Sequence, residues 1–199
     1  MAVRGLDTLR GRETWHTELR VDGSALGFHI HDRYESWFDT QTLFSLRHVQ
    51  EIDQRSGDKR RVFEIFPDSA FYTENGGASR PSVQDPLDDG AFLYWVRTVP
   101  LAVGETYSWD RYFRPDRNPV RLQVLRRETI RVPAGEFQTI VVQPFIKSRG
   151  IFSEGGQALL WLTDDDRRWV VQMRSRIPKL PIGSITLQLR AVQPALQPR

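Results

Sequence analysis

The chain has 199 residues, 39% apolar and 27% charged, which suits one globular domain with a substantial core and excludes a disordered or fibrous class. A formal charge of +3, with basic residues scattered and only short clusters such as Lys59-Arg60-Arg61, gives no basic stripe for nucleic acid. The absence of cysteine removes disulfides, thiolate metal sites and cysteine nucleophiles together, and no run approaches the ~20 apolar residues of a membrane-spanning helix.

In chain order, the first strong pattern is a hairpin over residues 13–33. Trp15, Thr17, Leu19 and Val21 alternate with polar neighbours, and Leu26, Phe28 and Ile30 do the same after Gly23-Ser24. A Gly-first turn at Gly23-Ser24 pairs Val21 with Leu26, Leu19 with Phe28 and Thr17 with Ile30, so one face is apolar. Strands follow at about 42–52 and 61–66, Pro67 ends the second, and 70–74 adds a short one. Residues 75–85, rich in Gly, Ser, Pro and Asn, form a loop.

Asp85-Pro86 then opens the one predicted helix, about 86–97, with Asp at the N-cap, Pro at the first helical position and Pro100 as its stop. Strand 105–113 leads to the central hairpin, 120–143. There Val132-Pro133-Ala134-Gly135 supplies the turn, and Ile140-Val141-Val142, apolar at every position, predicts a strand covered on both faces. Strands 158–163 and 168–174 flank the turn Asp164-Asp165-Asp166-Arg167, and 184–192 is the last. The result is a single all-β domain over 1–199, a curved antiparallel meander forming an open barrel or half-barrel with one short helix packed on it.

Three clusters carry chemistry. In the hairpin register above, His16 lies opposite His31 and Glu18 opposite His29, a cross-strand patch with zinc-type ligands; its competing reading is a solvated strand face. The run Asp164-Asp165-Asp166 lacks the spacing of a calcium loop and reads as a turn balanced by Arg167 and Arg168. Phe92, Tyr94, Trp95, Tyr107, Trp109, Trp161 and Trp169 are candidate linings of an apolar cavity of lipid size; the competing reading is a solid aromatic core. Asp88-Asp89 and Glu154 offer carboxylates without a fixed separation. No hydrolase elbow, phosphate loop or dinucleotide fingerprint is present, so no catalytic residue and no cofactor is assigned.

An ordered series of short pieces resembles the bacterial domain-of-unknown-function family numbered 3108. The pieces are Asp85-Pro86-Leu87, Tyr94 to Leu101 with Gly104, Val132 to Phe137, Trp161 to Arg168, and Gly183-Ser184-Ile185 with Leu189, spanning roughly residues 40–190. The resemblance implies an exported, mostly β protein of the periplasm or cell envelope, similar to the curved sheets of envelope lipoprotein carriers. It brings no activity and no catalytic residues. It also implies a signal peptide and an early strand pair, neither of which is in this chain, so a preceding segment is expected. Trp169-Val170-Val171 stands where members often have Pro. The expected function is non-catalytic binding of a lipid or other apolar ligand. The alternatives are an envelope interaction module without a ligand, or a metal-dependent enzyme on the histidine hairpin.

Overall fold

The computed structural model describes residues 1–25, 28–53, 59–147, 158–176 and 184–192. They form two open antiparallel sheets with one short helix, and they group into two compact units: residues 1–94 with 111–115, and residues 95–110 with 116–192.

The first unit holds a seven-stranded meander in chain order: β1 (Ala2–Leu9), β2 (Arg12–Ala25), β3 (Phe28–Asp39), β4 (Ser45–Asp53), β5 (Lys59–Phe66), β6 (Phe71–Glu74) and β7 (Arg80–Pro81). The first hairpin is longer than its sequence suggests. Leu19 pairs with Tyr34, Thr17 with Ser36 and Trp15 with Phe38, while Gly23 and Ser24 lie inside β2 opposite Ile30 and His29. The pairing therefore runs past Gly23-Ser24 to Ala25 and Phe28, and residues 26–27 lie outside the described residues. Pairing β2 along the whole of β3 sets Tyr34 and Phe38, 6% and 1% exposed, opposite Leu19 and Trp15, whereas a turn at Gly23-Ser24 would set Tyr34 opposite Glu13 and Phe38 beyond the start of β2. Strands i and i+2 share a face, so this even shift keeps Leu19 on the apolar side and only the partners change.

Helix α1 (Asp89–Trp95) begins later than expected. Asp88, not Asp85, is its cap: Oδ1 accepts from the Gly90 and Ala91 N–H groups at 2.7 and 3.0 Å. Leu87 instead bridges to Tyr112 in parallel, and its N–H and C=O bond Arg111 and Phe113 at 2.6 and 3.0 Å. The expected strand 105–113 shortens for the same reason, because Tyr112 and Phe113 leave it to pack in the first unit. Phe113 lies edge-on to Phe63 and Tyr72, each at 5.2 Å.

The second unit holds β8 (Thr106–Trp109), β9 (Val120–Val132), β10 (Gly135–Phe145), β11 (Leu159–Thr163), β12 (Val170–Arg176) and β13 (Ser184–Gln188), in the order β13-β12-β11-β10-β9-β8. The β9–β10 hairpin turns at Pro133-Ala134, with Gly135 at φ +134°, as the sequence predicts. Ile140, Val141 and Val142 are 3%, 0% and 0% exposed, so β10 is covered on both faces. A bulge at Val141/Val142 divides its two rows. Val142 lies between Val124 and Leu160, and Leu160 faces Met173; Val141 lies between Arg126 and Trp161. Among the described residues, no helix is long and apolar enough to cross a membrane.

Candidate functional site

The row through Val141 builds the most distinctive surface of the second unit. Directly opposed residues share a face, so Arg126, Val141, Trp161 and Gln172 point the same way across β9 to β12. At the centre Val141, Trp161 and Val171 are 0%, 4% and 0% exposed. Around them pack Leu125, Ile130, Phe137, Leu159, Trp169 and Leu189, all only partly buried. Leu189 curls the sheet over this cluster: its N–H donates to the Val171 carbonyl at 2.8 Å, and its carbonyl accepts from the Ala134 N–H at 3.0 Å. The cluster has a buried apolar centre and a partly buried apolar border.

Its polar groups are few and positioned. Trp161 Nε1 donates to Glu128 Oε1 at 2.6 Å, and Arg126 clamps the same carboxylate at 2.9 and 2.8 Å. The hydrogen bonds from Arg126, then that from Trp161, hold Glu128 below the usual carboxylate range against its burial. Arg167 lies over the Trp169 ring at 4.3 Å. Arg174 is exposed on the face of Leu159, its cross-strand partner, and among the described residues it pairs with no carboxylate. The cluster thus sets apolar contacts beside guanidinium groups.

The seven aromatics singled out in sequence fall into three groups. Trp161 and Trp169 belong to the Val141 cluster. Trp95, 5% exposed, meets Trp109 edge-on at 4.7 Å, and Tyr107 stacks on Trp109 at 5.6 Å, elsewhere in the second unit. Phe92 and Tyr94 belong to the first unit, where Phe92 is 1% exposed and Tyr94 tilts against Phe38 at 5.2 Å.

The histidine patch loses its assumed register. His16 opposes Trp37, on whose ring it stacks at 4.1 Å, and its Nε2 lies 3.3 Å from Glu35 Oε2. His31 opposes and bonds Asp22 at 3.0 Å, while the His29 side chain lies outside the described residues. Glu18 opposes Glu35 and is held by Arg4, Arg20 and Arg33 at 2.6, 2.5 and 3.0 Å. Burial raises its pKa, but these three guanidiniums win and bring it down to about 2. Among the described residues, no three His, Asp or Glu side chains are grouped to hold a metal ion. The aspartate run is a turn: Asp165 accepts from Thr163 Oγ1 at 2.6 Å and from Arg167 at 2.8 and 2.5 Å, and Asp164 pairs with Arg127 at 2.7 Å.

One cluster had no warning in the hydropathy pattern. Ser36, His48 and Asp88 are 1%, 0% and 0% exposed, and Gln50 is 8%. Ser36 Oγ donates to Asp88 Oδ1 at 2.6 Å. His48 Nδ1 lies 2.9 Å from the Glu35 carbonyl and 3.3 Å from Ser36 Oγ, and its Nε2 lies 3.0 Å from Gln50 Nε2. The Asp88 N–H donates to Ser45 Oγ at 2.8 Å. These residue types resemble a catalytic set, but the serine hydroxyl is committed to the aspartate and the group is sealed from solvent. It docks the start of α1 onto β3 and β4. The available sequence signal was Asp88-Asp89-Gly90 itself: an N-cap followed by a residue without a side chain, where an added Cβ would lie 2.1 Å from Ser36 Oγ.

Comparison with known proteins adds family and little else. The family described as "Protein of unknown function (DUF3108)" matches residues 1–190. No curated protein matches the sequence. A solved structure, a DUF1089 family protein from Pseudomonas aeruginosa, is similar at 13% identity and TM-score 0.42, over 84% of this chain and 85% of that one.

Proposed function

The chain belongs to the DUF3108 family of proteins of unknown function, and from that premise we propose that it is a non-catalytic binding protein of the bacterial envelope that takes the acyl chain of an anionic amphiphile. The observation that carries this reading is the apolar cluster of the second unit, where six partly buried apolar side chains pack around a buried Val141-Trp161-Val171 centre. Apolar clusters that reach the surface beside a few placed polar groups are common at ligand and interaction sites. Charge favours an anionic headgroup. Arg174, on the face of Leu159, pairs with no carboxylate among the described residues, and the second unit's sequence is basic overall, with 14 Lys and Arg against 9 Asp and Glu. The envelope assignment rests on the exported character that the family resemblance implies.

Native mass spectrometry of gently purified protein tests the ligand. A heterogeneous adduct of lipid mass is expected, lost in Leu159→Glu and retained in Val103→Glu, an exposed position in the same unit. A clean apo mass, together with no saturable uptake of a fluorescent fatty acid, would end this reading. Fractionation of the source cell, with the protein found only in the cytoplasm, would end the envelope assignment.

A further inference from the structure

Among the described residues the first sheet ends on a long strand whose only charges are Arg4 and Asp7. β1 is the terminal strand of seven, eight residues with neither Lys nor Pro, whereas β7 at the other end has two residues. Edge strands in soluble proteins are usually short, charged or proline-bearing, because their free N–H and C=O groups template pairing. Of the five exposed large hydrophobics among the described residues, three lie at this edge: Met1 at 56%, Val3 at 44% and Leu6 at 54%. A register shift between Val3 and Gly5 leaves Gly5 to Leu9 as its regular portion.

We propose that β1 pairs antiparallel with β1 of a second copy, about a two-fold axis through Leu6. This register agrees with the faces that β2 imposes. Leu6 opposes Trp15, so the row Trp15-Leu6 continues into Leu6 and Trp15 of the second copy. Gly5 and Asp7, opposite His16 and Thr14, share the other face, and Gly5 of one copy meets Asp7 of the other. Gly5, with no side chain, leaves room there. The neighbouring Arg4, 46% exposed even while bonded to Glu18, then lies beside Asp7 of the second copy. An isologous contact makes this Arg–Asp approach twice. An axis through Asp7 instead would oppose the two aspartates directly, which disfavours that register. The shared edge continues the two sheets into one and covers the Leu6 pair.

The test uses the full chain, which has no cysteine of its own. Directly opposed Cβ atoms lie about 4.5–5.5 Å apart, close to disulfide reach, so Leu6→Cys under mild oxidation at low concentration is expected to give covalent dimer at least about ten-fold faster than Val103→Cys. Sedimentation equilibrium is expected to show a concentration-dependent dimer that Leu6→Lys converts to a monomer with the wild-type circular dichroism spectrum, its melting temperature no longer dependent on concentration. The proposal is overturned by a monomer at all concentrations with equal cross-linking of the two cysteine variants. It is equally overturned by a dimer indifferent to Leu6→Lys, which would use another surface. Loss of the dimer when upstream residues are added would also overturn it, by assigning the edge to the chain's own preceding segment.

Discussion

The two sheets solve burial in opposite ways. In the second unit, Ile140-Val141-Val142 of β10 is apolar on both sides, and the row Val124-Val142-Leu160-Met173 needs only shape to pack. In the first unit, the covered face of β3 and β4 carries Ser36, His48 and Gln50 among Tyr34, Phe38 and Leu46. The difference comes from what lies against each. A helix begins over β3, and its first N–H groups and capping carboxylate must find partners once water is excluded. An apolar interior tolerates small errors of volume; a sealed polar one fails when a single partner is missing.

The sharpest break of that comparison is Asp88→Ala. It removes the cap and leaves Ser36, the Gly90 N–H and the Ala91 N–H without their acceptor. A loss of about 3–4 kcal/mol in denaturant unfolding is expected, with Asp88→Asn costing clearly less. A loss below about 1 kcal/mol would show that the network does not hold the helix. Gly90→Ala comes next, at about 2–3 kcal/mol, because its Cβ would lie 2.1 Å from Ser36 Oγ. Combining it with Ser36→Ala should cost less than the sum of the two single changes, since the second removes the atom that the first strikes.

In the second unit the corresponding change is milder. Trp161→Phe keeps the apolar centre and deletes only the 2.6 Å bond to Glu128, which Arg126 still clamps, so about 1 kcal/mol is expected. On the charged face of the first sheet the effect is read as a change with pH. Glu18 has its pKa lowered from 4.5 to about 2, so its stabilisation is complete above pH 4.5 and is lost as the pH falls through 2. Wild-type melting temperature should therefore drop across that window more steeply than that of Glu18→Gln. Parallel curves would remove Glu18 from the acid response.

What the amino-acid order determined by itself was everything that depends on neighbours along the chain. The Pro133-Ala134 turn with Gly135, the double burial of Ile140-Val141-Val142, the alternating strands, the one helix and the family-like series of short motifs are all local signals. Tertiary structure decided which residues meet. The hairpin phase was legible, but its register was not: pairing Leu19 with Phe28 or with Tyr34 leaves Leu19 on the same face, and the burial of Tyr34 and Phe38 goes with the second. That choice dispersed His16, His31 and Glu18, because cross-strand proximity belongs to the register and not to the alternation. The cap moved from Asp85 to Asp88 because Leu87 is drawn into a bridge with Tyr112, 25 residues further along. The Ser36–His48–Asp88 network joins β3, β4 and the start of α1 across as many as 52 positions. No periodicity within one element carries that information, since a buried polar side chain is stable only through partners that the fold itself brings near.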